Sequence, residues 1–173
     1  MTTVTSPSPM FPGAPTVSVD LPQGWEALHR AGSLLAARGP GQAYAPTLDV
    51  LEVRAATGAV GVDVARAVRE VGDSAPERLQ GVTSAPFRCV ISGLPFVGLD
   101  RSWVDEVGGS VVEVHLFHAT APLVDGGVSL LVRLVGTCGG DRVQEDYAVL
   151  RRMALAASVV PWRDPLPSAG AAR

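Results

Sequence analysis

Glu113, His115 and His118 sit on one Val- and Leu-rich run, SVVEVHLFHAT, and they are the first residues whose types could do chemistry. Alternate residues of a strand share a face. Glu113 and His115 therefore stand side by side with Phe117, as an acid–base pair or a weak metal site would. His115 and His118 are three apart and point to opposite faces, so a regular strand does not let them share a metal. The plainer account of Glu113, His115 and Phe117 is a sheet face that is either solvated or the place where a partner or ligand binds. His29, beside Arg30 in a turn, carries no role.

A second cluster surrounds Trp103. Asp100, Asp105 and Glu106 gather carboxylates in one stretch, as a cation loop does, but the spacing of a calcium-binding loop is absent. Trp103, Arg101 and Phe96, with Leu99, also form a candidate binding patch, because Trp and Arg are enriched at interface hot spots. The alternative is that Trp103 closes the core. No nucleophile stands out. Ser92 in ISGLP lacks the first glycine of a nucleophile elbow. GTCGGD and VGGS match no phosphate-binding loop and read as turns. Cys89 and Cys138 lack the spacing of a zinc or redox pair and read as reduced thiols in apolar runs. No catalytic residue, no metal-ligand set and no cofactor is assigned.

These residues need a sheet to hold them. Ser110–Gly136 is the stretch the rest is built on, two apolar runs joined by a Pro-, Asp- and Gly-containing turn. It reads as a hairpin, about 110–120 and 127–138. Val112, Val114 and Leu116 are expected under a helix, with Glu113, His115 and Phe117 on the other face. Upstream, Val17, Val19 and Leu21 alternate with polar residues in a first strand, and Gly24 permits the turn that aims Trp25 inward. Residues 33–39 and 47–55 are further strands. Leu48, Val50 and Val53 break parity within the second of them, so a bulge or two-sided burial is expected.

Val60, Val64, Val68 and Val71 predict a helix face, closed at Gly72. Residues 75–86 read as a connector and 87–93 as a strand. The stretch 94–109, with Gly98 and Asp100, reads as a strand, a bend and a turn. Val143, Tyr147, Leu150, Ala154 and Ala157 predict a second helix docked on the sheet, and residues 158–160 a short closing element. Residues 1–14 and 161–173 are expected as flexible tails around a single domain, 15–160. Runs of strands with few helices give an α+β fold with a largely antiparallel β-sheet.

Composition limits the function. The chain has 173 residues and is 47% hydrophobic and 18% charged, enough for one domain that buries roughly 70% of its unfolded surface. All 14 basic residues are Arg and the net charge is −3. No Arg-rich stripe exists, so no nucleic-acid partner is expected. No apolar run is long enough for a membrane span. The first 15 residues lack the pattern of a secretory signal, so a cytoplasmic location is expected, or an exported one if a leader was removed.

VSVDLPQGWEAL (17–28), SLLAARG, APTLDVLEV (45–53), ISGLPFVGLD (91–100) and the closing LVGTCGGDRVQEDYAVLRRMALAASV (134–159) together resemble the Mog1/PsbP-like fold. Within it they resemble the LpqN/LpqT-like proteins of actinobacteria. The resemblance covers about residues 15–160. It implies a sheet sandwiched between helices and a non-catalytic binding or assembly module. The expected function is therefore recognition of a protein partner or small ligand. A small enzyme or isomerase-like protein, using Glu113 or His115 in a pocket between sheet and helix, is the alternative. A homo-oligomer formed through the sheet is a third reading.

Overall fold

The computed structural model describes residues 1–6, 15–41, 44–54, 80–107, 109–125 and 128–160. Ten strands and one helix lie among them. They are β1 (Thr2–Ser6), β2 (Thr16–Leu21), β3 (Glu26–Leu28), β4 (Ser33–Arg38), β5 (Thr47–Arg54), β6 (Gln80–Ile91), β7 (Leu94–Val107), β8 (Ser110–Asp125), β9 (Val128–Gly139), α1 (Val143–Leu155) and β10 (Ser158–Val160). Seven strands make one sheet in the order β3-β4-β5-β9-β8-β7-β6, and β1-β2-β10 make a second, smaller sheet. Every pairing is antiparallel. The fold is α+β. The helix expected near 60–71 and the C-terminal tail lie outside the described residues.

The β8–β9 hairpin is the centre of the large sheet, as its apolar runs predicted. Phe117 is paired with Gly136 across it. A Cβ on Gly136 would collide with the Leu150 side chain. Glycine there lets α1 approach the sheet closely. Val143, Leu150, Ala154 and Ala157, all predicted on the docking stripe, are buried. Leu150, Ala154 and Ala157 share one core with Leu48, Val50, Ala119, Val132 and Leu134 from the large sheet and Val17, Val19 and Val159 from the small sheet. One core thus joins α1 and the two sheets.

Several local expectations are corrected. The helix covers the face carrying Glu113, His115 and Phe117, not the one carrying Val112, Val114 and Leu116. Alternation separates the two faces but does not say which receives the helix. Gly136, Ala119 and Ala121 supply the room that α1 needs. Residues 94–107 form one continuous strand. Gly98 is no bend; a side chain there would strike the Phe87 ring. Residues 80–86 are strand and not connector, and Pro86 fits because β6 is an edge strand. Residues 2–6, expected in a tail, pair with β2. Residues 48–50 of β5 are buried on both sides. Leu48 and Val50 lie on the helix side and Asp49, only 9% exposed, on the other. The irregular register lies in β4 instead, between Ser33 and Leu35.

Candidate functional site

The Glu113–His115 pair lies where α1 leaves the outer strands uncovered. Strand β8 presents both side chains on one face, and His115 Nε2 lies 2.6 Å from Glu113 Oε1. The first turn of α1 adds Gln144, whose Nε2 is 3.3 Å from the same carboxylate oxygen. One turn on, the Tyr147 ring stands 5.0 Å from the His115 ring, centre to centre. The Tyr147 hydroxyl donates to Asp100 Oδ1 on β7. A further turn along, Arg151 Nε is 3.6 Å from Asp100 Oδ2, and its guanidinium lies 5.4 Å above the Phe87 ring on β6. The i, i+3, i+4 spacing of a helix aligns 144, 147 and 151 along one flank.

Two hollows follow this flank. One, about 220 Å³, is lined by Ala85, Asp100, Arg101, Ser102, His115 and Tyr147. The other, about 650 Å³, runs along Gln144, Tyr147, Ala148, Arg151 and Leu155. Tyr147 borders both. Burial, and then its bond to Asp100, raise the Tyr147 pKa, so the phenol stays protonated near neutral pH. Burial likewise raises both thiols, with Cys138 pushed up to about 12. Neither cysteine is thus an activated nucleophile, and both are free.

The opposite face of the sheet carries a different set. Leu99, Arg101, Trp103 and Asp105 of β7 pair with His118, Leu116, Val114 and Val112 of β8. Tyr44, at φ 55°, donates its hydroxyl to Asp105 Oδ2 at 2.7 Å. Their bond raises the Tyr44 pKa. Asp49 on β5 is held by Arg30 at 2.5 Å and Ser33 at 3.2 Å. His118 is fully buried, and Thr120 Oγ1 lies 3.0 Å from its Nε2. Burial first, and the Arg133 charge second, lower its pKa to about 4, so it is neutral.

The expected site residues are therefore divided by the sheet. Glu113 and His115 are together beside α1. Phe96 and Phe117 lie on that same face but at 1% and 0% exposure, within the core. Phe117 stacks on Phe87 at 5.4 Å. The Trp103 and Arg101 side chains alternate to the far face, half-buried, so Trp103 and Phe96 do not form one patch, while Arg101 also borders the hollow beside His115. His115 and His118 face opposite ways, as their spacing predicted.

Sequence reasoning placed Tyr147 only in the docking stripe, Asp100 only in a carboxylate cluster weighed as a cation loop, and Arg151 in no site. No local pattern links positions 47 residues apart. Ser92 turns out to be structural. Its Oγ donates to Ala157 O at 3.1 Å and accepts from Val159 N–H at 2.8 Å, tying the β6–β7 turn to the end of α1. Among the described residues no group of three His, Cys, Asp or Glu could hold a metal ion.

No family model matches the chain, and no curated protein matches it. Among solved structures it is similar to the crystal structure of LpqN, involved in cell envelope biogenesis of Mycobacterium tuberculosis. The TM-score is 0.64 at 15% identity, over 92% of each chain. The likeness supports an LpqN-like fold. Among the described residues no helix is long and apolar enough to cross a membrane.

Proposed function

We propose that this chain is a non-catalytic binding or assembly module, and that the flank of α1 over β7 and β8 receives its protein partner or small ligand. The size of the hollow beside His115 carries this reading. At about 220 Å³ it is smaller than the roughly 300–1,000 Å³ of pockets that enclose a small molecule, whereas the groove of about 650 Å³ along α1 falls within that range. The larger groove along α1 is bordered by long polar side chains and Leu155. Such a surface suits a ligand that lies across it, with Tyr147 and Arg151 as amphipathic anchors. The likeness to LpqN supports a role of this kind at the cell envelope. Such a setting favours the exported alternative over a cytoplasmic location.

One observation favours an enzyme instead. His115 and Glu113 lie 2.6 Å apart, and His115 lines the hollow, as a general base with an orienting carboxylate would. Glu113 itself, with its side chain 49% exposed, does not line it.

Affinity capture from the native host, with the Tyr147→Ala and Arg151→Glu variants alongside, tests the reading. A partner or ligand retained by the unaltered chain and lost with both variants is expected. Equal retention by the folded variants would remove the α1 flank as the binding surface. Turnover of a captured compound that disappears in Glu113→Gln would establish the enzyme.

A further inference from the structure

Strand β6 presents a second surface at the edge of the large sheet, next to the α1 flank. Ser92 and Gly93 both have positive φ, 53° and 77°. They make the β6–β7 connection a two-residue type I′ turn closed by Ile91 and Leu94. In an antiparallel ladder, residues alternate between those that bond to the partner and those that turn their backbone groups away. Counting from the closing pair, Cys89 and Phe87 bond to β7. Arg88 and Val90 turn N–H and C=O outward. No other described strand pairs with β6. Val90 is 68% exposed, and Arg88 and Pro86 are exposed too.

Pro86 is the next outward-facing position and has no N–H to offer. It ends the template on one side, and the Ser92–Gly93 turn ends it on the other. What remains is a window of two outward-facing residues, Arg88 and Val90, enough to bond a short extended segment and no more.

Charge selects the occupant. Arg88 stands on one face of the edge, and Arg151 lies over Phe87 on the other. The nearby acid, Asp100, is already engaged by Tyr147 and Arg151. A second copy pairing antiparallel about Cys89 would set Val90 opposite Arg88. Its own Arg88 would then lie diagonal to the first, within reach of these long side chains and repelling. A segment with a carboxylate opposite Arg88 and an apolar residue opposite Val90 meets no such penalty. We infer that β6 accepts, by strand addition between Arg88 and Ile91, one extended segment of a partner protein with an acidic and an apolar residue at i and i+2.

The test uses the full chain, isotope-labelled, with the peptide Thr-Glu-Thr-Val-Thr-Glu-Thr-Val and its counterpart with Lys for Glu. Amide hydrogen exchange is read residue by residue. The acidic peptide is expected to slow exchange at Arg88 and Val90 by about tenfold or more at saturation. The Lys peptide is expected to bind roughly fivefold more weakly, the range of an exposed charge pair. Arg88→Glu, a change at an exposed side chain, should reverse the preference. If that variant fails to fold, the two peptides on the unaltered chain decide. No slowing at Arg88 and Val90, or equal effects of both peptides, would overturn the inference. So would slowing at these amides with rising protein concentration and no peptide, which would show a second copy in the window.

Discussion

His118 shows most directly what one buried residue does to this molecule. Its ring is fully enclosed, with one nitrogen near Thr120 and Nδ1 without a partner among the described residues. Its pKa is lowered to about 4 by burial and by Arg133, against an ordinary value near 6.5. Between those values the unfolded chain binds a proton that the folded chain refuses, so stability rises with pH across the window. Its contribution is complete above about pH 6.5 and is lost as pH falls toward 4. The loss is of order 3 kcal/mol. Urea unfolding at pH 7 and at pH 4.5 should show it, and His118→Gln should flatten the difference. The opposite orientation of His115 and His118 was legible from strand parity alone. That His118 would be the buried one was not, because both faces of β8 read as apolar.

At the scale of elements, α1 was the most readable part. Its stripe at positions 143, 150 and 154 is buried as the helical spacing requires, and Ala157, expected on the same helix, is buried just past its end. Which sheet face it covers depends on Gly136, whose missing side chain admits Leu150. Gly136→Ala should therefore destabilise the fold by roughly 1–3 kcal/mol, as overpacking does. Leu150→Ala in the same chain should recover part of that loss in chemical denaturation, and no recovery would show that the contact is not the cause. Strand β7 was the least readable. Gly98 and Asp100 have turn-forming compositions, yet each meets a distant demand, the Phe87 ring in one case and Tyr147 in the other. Pro86 misled in the same way. A proline reads as a loop signal unless the strand is known to lie at an edge.

For the whole molecule, the two-sheet arrangement decides where ligands can reach. Strands β1 and β10 flank β2 and close the small sheet over the core. Val4 packs against that core, and Thr3 and Thr5 bond to Asp20 and Ser18 across the pair. Removing residues 1–6 should cost about 1–2 kcal/mol, several backbone bonds less the ordering entropy regained. It should also speed amide exchange in β2 without altering β6. Unchanged stability would mean that β1 adds nothing to the domain. The candidate surfaces, the α1 flank and the β6 edge, lie on the large sheet, and the β6–β7 turn is tied to β10 of the small sheet through Ser92 and Val159.

By itself the sequence determined the α+β class, the central β8–β9 hairpin, the docking stripe of α1 and the strand at Val17–Leu21. These follow from periodicity, which neighbours in the chain enforce. Tertiary structure alone decided that α1 lies over Glu113, His115 and Phe117. It alone brought Tyr147 and Arg151 to Asp100, set the Trp103 and Arg101 side chains on the far face, and left β6 at the edge of the large sheet among the described strands. Each of these depends on which side of a strand meets a distant partner. An alternating pattern is symmetric between the two sides until packing volume, at Gly136 and Ala119, breaks the tie.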